Sequence, residues 1–372
     1  MTRPIVRVLH LLRSMGIGGA ERRVQRLGLG LDPARYEVQA MSFYPVEGQA
    51  LAWPEERHLY FPLQPGFQWR RLTQLAAYIR KHRFDVVHSH NWATMFYGVL
   101  GGRLAGVPVV LHGEHGLNDI DRAGISGTRE LLAAALARMA TRVVVVNESI
   151  SIDIRRRWRL GQRQIVCMPN GVDLNRFGPP VEIKADNEAF VFGTVARFDG
   201  VKNLPCLLRA FERLHRSYPN LNVRLVLVGN GPLWQTLREQ AAQGSAAEHI
   251  HFAGETTEPQ QWYRQFDAFV NTSFSEGMSN SILEAMACGV SVVASDIAGN
   301  RCWLRQDENA LFFPSDDDQT LANCLRRLAV DRVLNRRMGG NNLRRVRKEF
   351  DNLGFLDRYG AMYQELLTAA GR

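Results

Sequence analysis

Glu276 and Glu284 close the two ends of the segment Glu276-Gly277-Met278-Ser279-Asn280-Ser281-Ile282-Leu283-Glu284. Upstream, Asp267 to Ser273 has the composition of a buried strand. Downstream, Ser281 to Cys288 is rich in helix formers and stops at Gly289. Glu276 is therefore expected in a loop and Glu284 about one turn inside the following helix. Ser279, Asn280 and Ser281 are all good N-cap residues, so the unpaired amides and positive dipole end of that helix would face the loop, where a phosphate could rest. The loop carboxylate could then take sugar hydroxyls and the helical one a ribose. An isolated pair of glutamates is more often a solvated loop residue and a helix-surface charge. The surrounding motifs change that weighting.

Phe192 to Asn203 reads as a strand followed by a loop, with Arg197 at the strand's end and Lys202 beyond it. Such a pair sits at the carboxyl edge of a sheet, where open α/β folds bind ligands. A departing nucleoside diphosphate gathers negative charge, and fixed cations stabilise that charge more in the transition state than in the ground state. Lys202 is one of four lysines in an arginine-dominated chain, which points to a need for a compact point charge.

Two glycine turns could wall the same ligand or be plain strand-to-helix turns. Gly16-Ile17-Gly18-Gly19-Ala20 precedes a helix expected to begin near Ala20, and Gly229-Asn230-Gly231-Pro232 follows the strand Val223 to Val228. Backbone without side chains can approach a diphosphate closely and present amide donors to it. The first turn lacks a full dinucleotide fingerprint, since no acidic residue caps the second strand, and this disfavours NAD.

Histidines collect at two strand ends, Val87-His88-Ser89-His90 and Leu111-His112-Gly113-Glu114-His115. Lone strand-end histidines are usually satisfied structural residues. Four on neighbouring strands could form a pocket floor, with His115 donating to a sugar hydroxyl. Their spacing matches no zinc site, and no metal is expected. Asp119-Ile120-Asp121 and Asp316-Asp317-Asp318 resemble divalent-ion pairs but read more readily as solvated loops.

These residues need a scaffold of short parallel strands. Apolar runs supply it at Val6 to Leu12, Tyr36 to Phe43, His58 to Leu63, Asp85 to His90, Val107 to Leu111, Arg142 to Val146 and Ile165 to Pro169. A second set lies at Phe190 to Ala196, Val223 to Val228, Ile250 to Phe252, Asp267 to Asn271, Val290 to Ser295 and Leu311 to Phe313. Amphipathic stretches alternate with them, the pattern of two open parallel sheets covered by helices. The domains are expected at 1–175 and 185–349, joined through Asn170-Gly171-Val172-Asp173 and a polar stretch to Glu188, with 350–372 forming a terminal helix packed back toward the first domain.

With 372 residues, 45% of them hydrophobic, the chain can bury two cores. No apolar run reaches membrane-spanning length, and Met1-Thr2-Arg3-Pro4 leads into a strand rather than a signal peptide, so a cytoplasmic location is expected. Five cysteines without close pairing read as reduced thiols. The net charge of +9 belongs to residues 1–180, which hold 24 Lys+Arg against 14 Asp+Glu. Arg22-Arg23-Arg26, Arg70-Arg71, Arg80-Lys81-Arg83 and Arg155-Arg156-Arg157-Trp158-Arg159 read either as solvated helix faces or as basic faces that could meet anionic lipid or a phosphorylated acceptor. No nucleic-acid-binding motif accompanies them.

In this order the motifs resemble the retaining glycosyltransferases of family 4, which have the GT-B fold. The resemblance rests on Gly18-Gly19-Ala20-Glu21, Asp85 to His90, Asn170 to Asp173, Arg197 with Lys202, Gly229 to Pro232, and Glu276 to Glu284 followed by Ala285-Met286-Ala287-Cys288-Gly289. His112-Gly113-Glu114-His115-Gly116 is further similar to the subgroup of exopolysaccharide and surface-glycan assembly. The resemblance implies an α/β chain of two Rossmann-like domains facing each other across a donor cleft.

It further implies that Arg197 and Lys202 hold the diphosphate of a UDP- or GDP-sugar, Glu276 the transferred sugar, and Glu284 the ribose. Gly18, Gly19, Gly229, Gly277, Met278, Ser279 and Asn280 would contribute backbone and cap contacts, and His115 would be the active-site histidine. It implies metal-independent transfer to a glycan or polyprenyl-linked acceptor at the inner face of the cell membrane. Two departures stand out. Counted from a proline like Pro108, the family histidine falls at Glu114, which leaves His112 and His115 as alternatives. The glutamate common after Ala298-Gly299-Asn300 is replaced by Arg301-Cys302-Trp303-Leu304. A sugar-nucleotide epimerase on the same fold and a non-catalytic scaffold subunit are the competing readings.

Overall fold

The computed structural model describes residues 5–46, 50–64, 66–116, 127–180 and 188–372. Asp119 and Asp121, and residues 181–187 of the expected linker, lie outside the described residues. The chain divides into two compact units: Met1–Asn170 together with Asn352–Arg372, and Gly171–Asp351.

The first unit holds seven parallel strands: β1 (Val6–Leu12), β2 (Tyr36–Ser42), β3 (His58–Tyr60), β4 (Val86–His90), β5 (Val109–Glu114), β6 (Arg142–Val145) and β7 (Ile165–Cys167). Their order is β3-β2-β1-β4-β5-β6-β7. A sheet covered on both faces has near-continuous apolar strands, which is why Val86, Val87, Val109, Val110 and Leu111 are all sealed from solvent. One face carries Leu72, Leu75, Ile79, Val99 and Leu136 from three helices. The other carries Leu27 together with Phe355, Tyr359 and Tyr363 from the final helix, Asn352–Ala369.

The second unit holds β8 (Phe190–Val195), β9 (Val223–Val228), β10 (Ile250–Gly254), β11 (Ala268–Asn271), β12 (Ser291–Ser295) and β13 (Ala310–Phe313), in the order β10-β9-β8-β11-β12-β13. Phe192, Leu225, Val270 and Val293 pack under Leu207, Phe211 and Leu214 of helix Leu204–Ser217. Asn203 precedes that helix in the left-handed region at φ 46°, and Pro205 fits its first turn because it needs no intrahelical donor there. Val172 lies at the unit's entry and Asp351 at its exit. These two residues form a parallel bridge, with the Val172 amide donating to the Phe350 carbonyl at 2.8 Å.

Each sheet reverses its strand order once, between β1 and β4 in the first unit and between β8 and β11 in the second. Loops diverge at such a switch point and leave a crevice at the carboxyl ends of the strands. The residues singled out for chemistry gather around these two places.

Candidate active site

In the second unit β8 delivers Arg197 and Lys202, and its neighbour β11 delivers Asn271 and the loop to Glu276. Lys202 closes a short 3₁₀ turn, Gly200–Lys202, capped by the Asp199 carboxylate, which accepts from the Lys202 amide at 3.3 Å. Thr272 Oγ1 donates to the Lys202 carbonyl at 2.7 Å and ties the turn to the end of β11. Lys202 Nζ then meets Glu276 Oε1 at 2.7 Å. The same oxygen accepts from Ser273 Oγ at 2.7 Å and Asn271 Nδ2 at 3.2 Å. No described residue bonds Glu276 Oε2.

Burial opposes both charges, and the pair overcomes it. Burial alone would pull the Lys202 ammonium down, but the charge and hydrogen bond of Glu276, with Asp199 behind, raise it above its ordinary value. Burial alone would push the Glu276 carboxyl up, but Lys202, Ser273 and Asn271 hold it below. Both groups are charged at neutral pH.

Glu284 lies inside helix Asn280–Ala287, as expected, but it is buried rather than on the helix surface. Tyr263 Oη donates to Glu284 Oε2 at 3.0 Å, fixing the carboxylate. Ser279 caps the helix by accepting from the Ile282 amide at 3.4 Å, and Met278 and Ser279 are buried beneath the loop. Two glycines shape the crevice. Gly229 follows β9 at φ 136°, where a Cβ would lie 1.9 Å from the Ala196 carbonyl oxygen; a Cβ on Gly299 would lie 1.9 Å from the Glu276 carbonyl oxygen. Backbone passes too closely at both for any side chain.

Arg197 is not brought against the pair. Its side chain is 71% exposed, and its nearest acidic partner is Asp199 at 3.8 Å. The Asp316 to Asp318 run is engaged elsewhere: Asp316 pairs with Arg209 at 2.7 Å, Asp318 with Arg213, and Asp317 caps the helix Asp318–Val330.

In the first unit, Gly18 is the N-cap and Gly19 the first residue of helix Gly19–Gly30, with Gly19 exposed. The histidines do not form a pocket floor. His88, His90 and His112 are sealed in the interior, because β4 and β5 are covered on both faces, and His10 of β1 joins them. His10 Nδ1 lies 2.9 Å from His90 Nε2, and His90 Nδ1 lies 2.8 Å from His115 Nε2. His115 sits just past β5, partly exposed, its amide donating to Asn91 Oδ1 at 3.2 Å. His112 instead meets Ser89 Oγ at 3.0 Å and Glu114 at 3.4 Å.

Burial, reinforced by the Arg23 guanidinium, holds His10 down to about 3. Burial, then the neighbouring rings and Arg23, keep His88, His90 and His115 well below the ordinary histidine range. Ring nitrogens of His10, His88 and His90 converge closely enough to hold a metal ion. However, His10 and His90 already bond each other, and the nearby guanidinium opposes a second cation.

Arg23, read from the sequence as part of a basic face, is fully buried. It turns inward because its helix packs under the final helix. Its Nη2 donates to the Met168 carbonyl, and its guanidinium lies over Phe355 and Tyr359 at 5.4 and 5.3 Å from the ring centres. Arg157 is also consumed, pairing with Glu130 and Asp153. His10, Arg23, Tyr263, Ser273, Asn271 and Gly299 were not identified from the sequence. His10, Arg23, Tyr263 and Gly299 meet partners remote in the chain, whereas Ser273 and Asn271 bond Glu276 from three and five residues away.

Residues 17–176 match the family described as Glycosyltransferase Family 4, and residues 189–331 match Glycosyl transferases group 1. A UDP-Gal:alpha-D-GlcNAc-diphosphoundecaprenol alpha-1,3-galactosyltransferase of Escherichia coli is 27% identical over 80% of this chain and 80% of its own. The putative glycosyltransferase EpsF of Bacillus subtilis is 29% identical over 78% and 79%. Among solved structures, Anabaena HepE in complex with UDP superposes with a TM-score of 0.82 at 18% identity, covering 97% of this chain and 100% of that one. Sucrose-phosphate synthase from Thermosynechococcus elongatus superposes with a TM-score of 0.80 at 21% identity, covering 98% and 100%.

Proposed function

The chain belongs to the family 4 glycosyltransferases of GT-B fold, and we propose that it is a retaining hexosyltransferase that takes its sugar from a UDP- or GDP-linked donor. The observation that carries this reading is the Lys202–Glu276 pair at the β8/β11 switch point. Lys202 is a fixed cation for the diphosphate, and Glu276 Oε2 is the acceptor for sugar hydroxyls. Glu284, held by Tyr263, takes the ribose. The amides around Gly277, Met278, Ser279 and Asn280 receive phosphate, and Gly229 lets backbone stand close to the nucleotide. Arg197, exposed at the end of β8, swings onto the diphosphate when donor is present. Gly18, Gly19 and His115 are the first unit's candidates for substrate contact.

Transfer proceeds without metal. Lys202 supplies the positive charge that an ion would bring, and the second unit's acidic run is tied up by arginines. The acceptor is a glycan or polyprenyl-linked glycan, the class named for the Escherichia coli relative. Peripheral contact with an anionic membrane suits the exposed face of helix Glu148–Trp158, where Ile152 stands beside Arg155 and Arg156. The neighbouring helix Gly127–Met139 presents Leu131, 74% exposed. No helix among the described residues is long and apolar enough to cross a membrane.

A thermal-shift panel with UDP, GDP, ADP and CMP, with and without magnesium, tests the donor site. Stabilisation by one diphosphate that survives a chelator and disappears in Lys202→Ala supports the reading. A shift that needs magnesium, or one unchanged in Lys202→Ala, overturns its central assignment.

A further inference from the structure

We infer that the hydrogen-bonded row His10–His90–His115 fixes the tautomer of His115, so that His115 meets substrate as a hydrogen-bond donor through Nδ1. His90 and His10 are positioning residues in this scheme. The inference rests on the reading of His115 as a substrate contact.

A neutral imidazole carries one N–H and one lone pair, so it can donate through one nitrogen only while accepting through the other. His90 is bonded at both: Nε2 to His10 Nδ1 at 2.9 Å and Nδ1 to His115 Nε2 at 2.8 Å. Its burial keeps the ring neutral. Two arrangements alone satisfy both contacts. Either every proton points toward His115, with His10 Nδ1–H donating to His90 Nε2 and His90 Nδ1–H donating to His115 Nε2, or every proton points the other way. The three rings therefore choose their tautomers together.

The surroundings of His10 decide the direction. His10 Nε2 is buried and has no partner among the described residues. If the protons ran inward it would carry an N–H into a region already crowded with donors. Arg23 Nε and Nη1 are buried there without a hydrogen-bond partner among the described residues, beside the buried hydroxyls of Tyr359 and Tyr363. The row is in touch with that region: the His10 and His88 rings lie 5.2 Å apart, His88 and Tyr359 6.2 Å, and Tyr359 and Tyr363 5.8 Å. A lone pair at His10 Nε2 suits a pocket that holds the Arg23 charge, whereas an N–H there would turn a positive dipole end toward that cation. The protons accordingly run outward, and His115 receives at Nε2.

Its own proton then sits on Nδ1, the nitrogen that bonds nothing among the described residues. His115 can steady an oxygen of the sugar or of the departing phosphate. It has no lone pair at Nδ1 with which to take a proton there.

Long-range proton–nitrogen correlation spectra of protein labelled with ¹⁵N-histidine read each ring's tautomer directly, with assignment by His115→Gln. The expected result is Nδ1–H for His115 and His90 in the wild type, with the His115 signals moving toward Nε2–H in His10→Phe and in Arg23→Met. An Nε2–H form of His115 in the wild type overturns the inference, whether or not the variants fold. So does an unchanged Nδ1–H form in both folded variants. UDP-induced thermal stabilisation, measured on the same wild-type sample, reports the donor site separately. A failed donor reading thus leaves the tautomer result standing, and the reverse holds too.

Discussion

Lys202 Nζ and Glu276 Oε1 face each other at 2.7 Å from the ends of two adjacent strands, the two between which the second sheet reverses its order. The contact makes each charge the other's support. In the proposed function donor binding divides them, one to phosphate and one to sugar. Glu276→Gln and Lys202→Ala are each expected to lower turnover by about a hundredfold in folded protein, the usual scale for removing one fixed charge from a transition state. Steady-state rates beside circular dichroism of each variant check this. A folded variant with near-normal turnover removes that residue from its assigned role.

The pair also makes stability depend on pH at both extremes. Glu276 is held below its ordinary value, so its contribution is present above the unfolded carboxyl range and is lost as pH falls through the folded value. Lys202 is raised, so its contribution is present below the unfolded lysine value and is lost as pH rises through the folded one. The melting temperature of Lys202→Met, subtracted from that of the wild type, should be largest near neutrality and shrink toward both ends. A flat difference would show that the pair does not couple to titration.

The histidine core predicts an acid weakness of its own. His10, His88, His90 and His115 are depressed in the folded state, so unfolded chains bind more protons below the ordinary value of about 6.5. Stability should decline as pH falls through that value and continue to decline toward the folded values. His88 has no hydrogen-bond partner at either ring nitrogen among the described residues. His88→Leu should therefore shallow the slope of melting temperature against pH at little cost near neutrality. An unchanged slope would show that His88 is not among the groups that titrate.

Tyr263 and Glu284 should act as one unit toward the nucleotide. Tyr263→Phe removes the donor at 3.0 Å and leaves a buried carboxylate oxygen short of a bond, a loss on the order of 1–3 kcal/mol. Calorimetric titration with the preferred nucleoside diphosphate should show weaker binding for Tyr263→Phe and Glu284→Gln, and a double variant less weakened than the sum. Additive losses would mean that Tyr263 does not act through Glu284.

Gly299→Ala is predicted to impair the site without touching a charged group. The new Cβ would collide with the Glu276 carbonyl oxygen, and because the obstacle is backbone, the loop bearing Glu276 has to move. The expected outcome is a lower melting temperature together with a fall in turnover, whereas Gly340→Ala, where a Cβ meets nothing, should change neither. Normal turnover in Gly299→Ala would show that the loop tolerates displacement.

The strands were legible because both sheets are covered on both faces, so runs such as Val86-Val87 and Val109-Val110-Leu111 stand out against their polar flanks. Glu276 and Glu284 were legible because a cap-rich loop meets a short helix in one continuous segment. The depth of Glu284 was not, since Tyr263 reaches it from another helix. His10 and Arg23 failed for a related reason. A histidine among leucines and an arginine beside two others read as ordinary until the pairing of β1 with β4 and the return of the final helix place them together. Chemistry carried within one stretch shows in the sequence, and chemistry assembled across the fold does not.

The return of helix Asn352–Ala369 to the first unit sets an order of events during synthesis. The second unit is one uninterrupted stretch and can complete its core as soon as it clears the ribosome. The first unit, although made earlier, must wait with Val8, Leu27, Val109 and its row of imidazoles lacking the cover of Phe355, Tyr359 and Tyr363. The portion translated first is thus the last to be sealed. For that interval the nascent chain exposes a half-finished sheet, which places its greatest demand for chaperone protection at the N-terminal half.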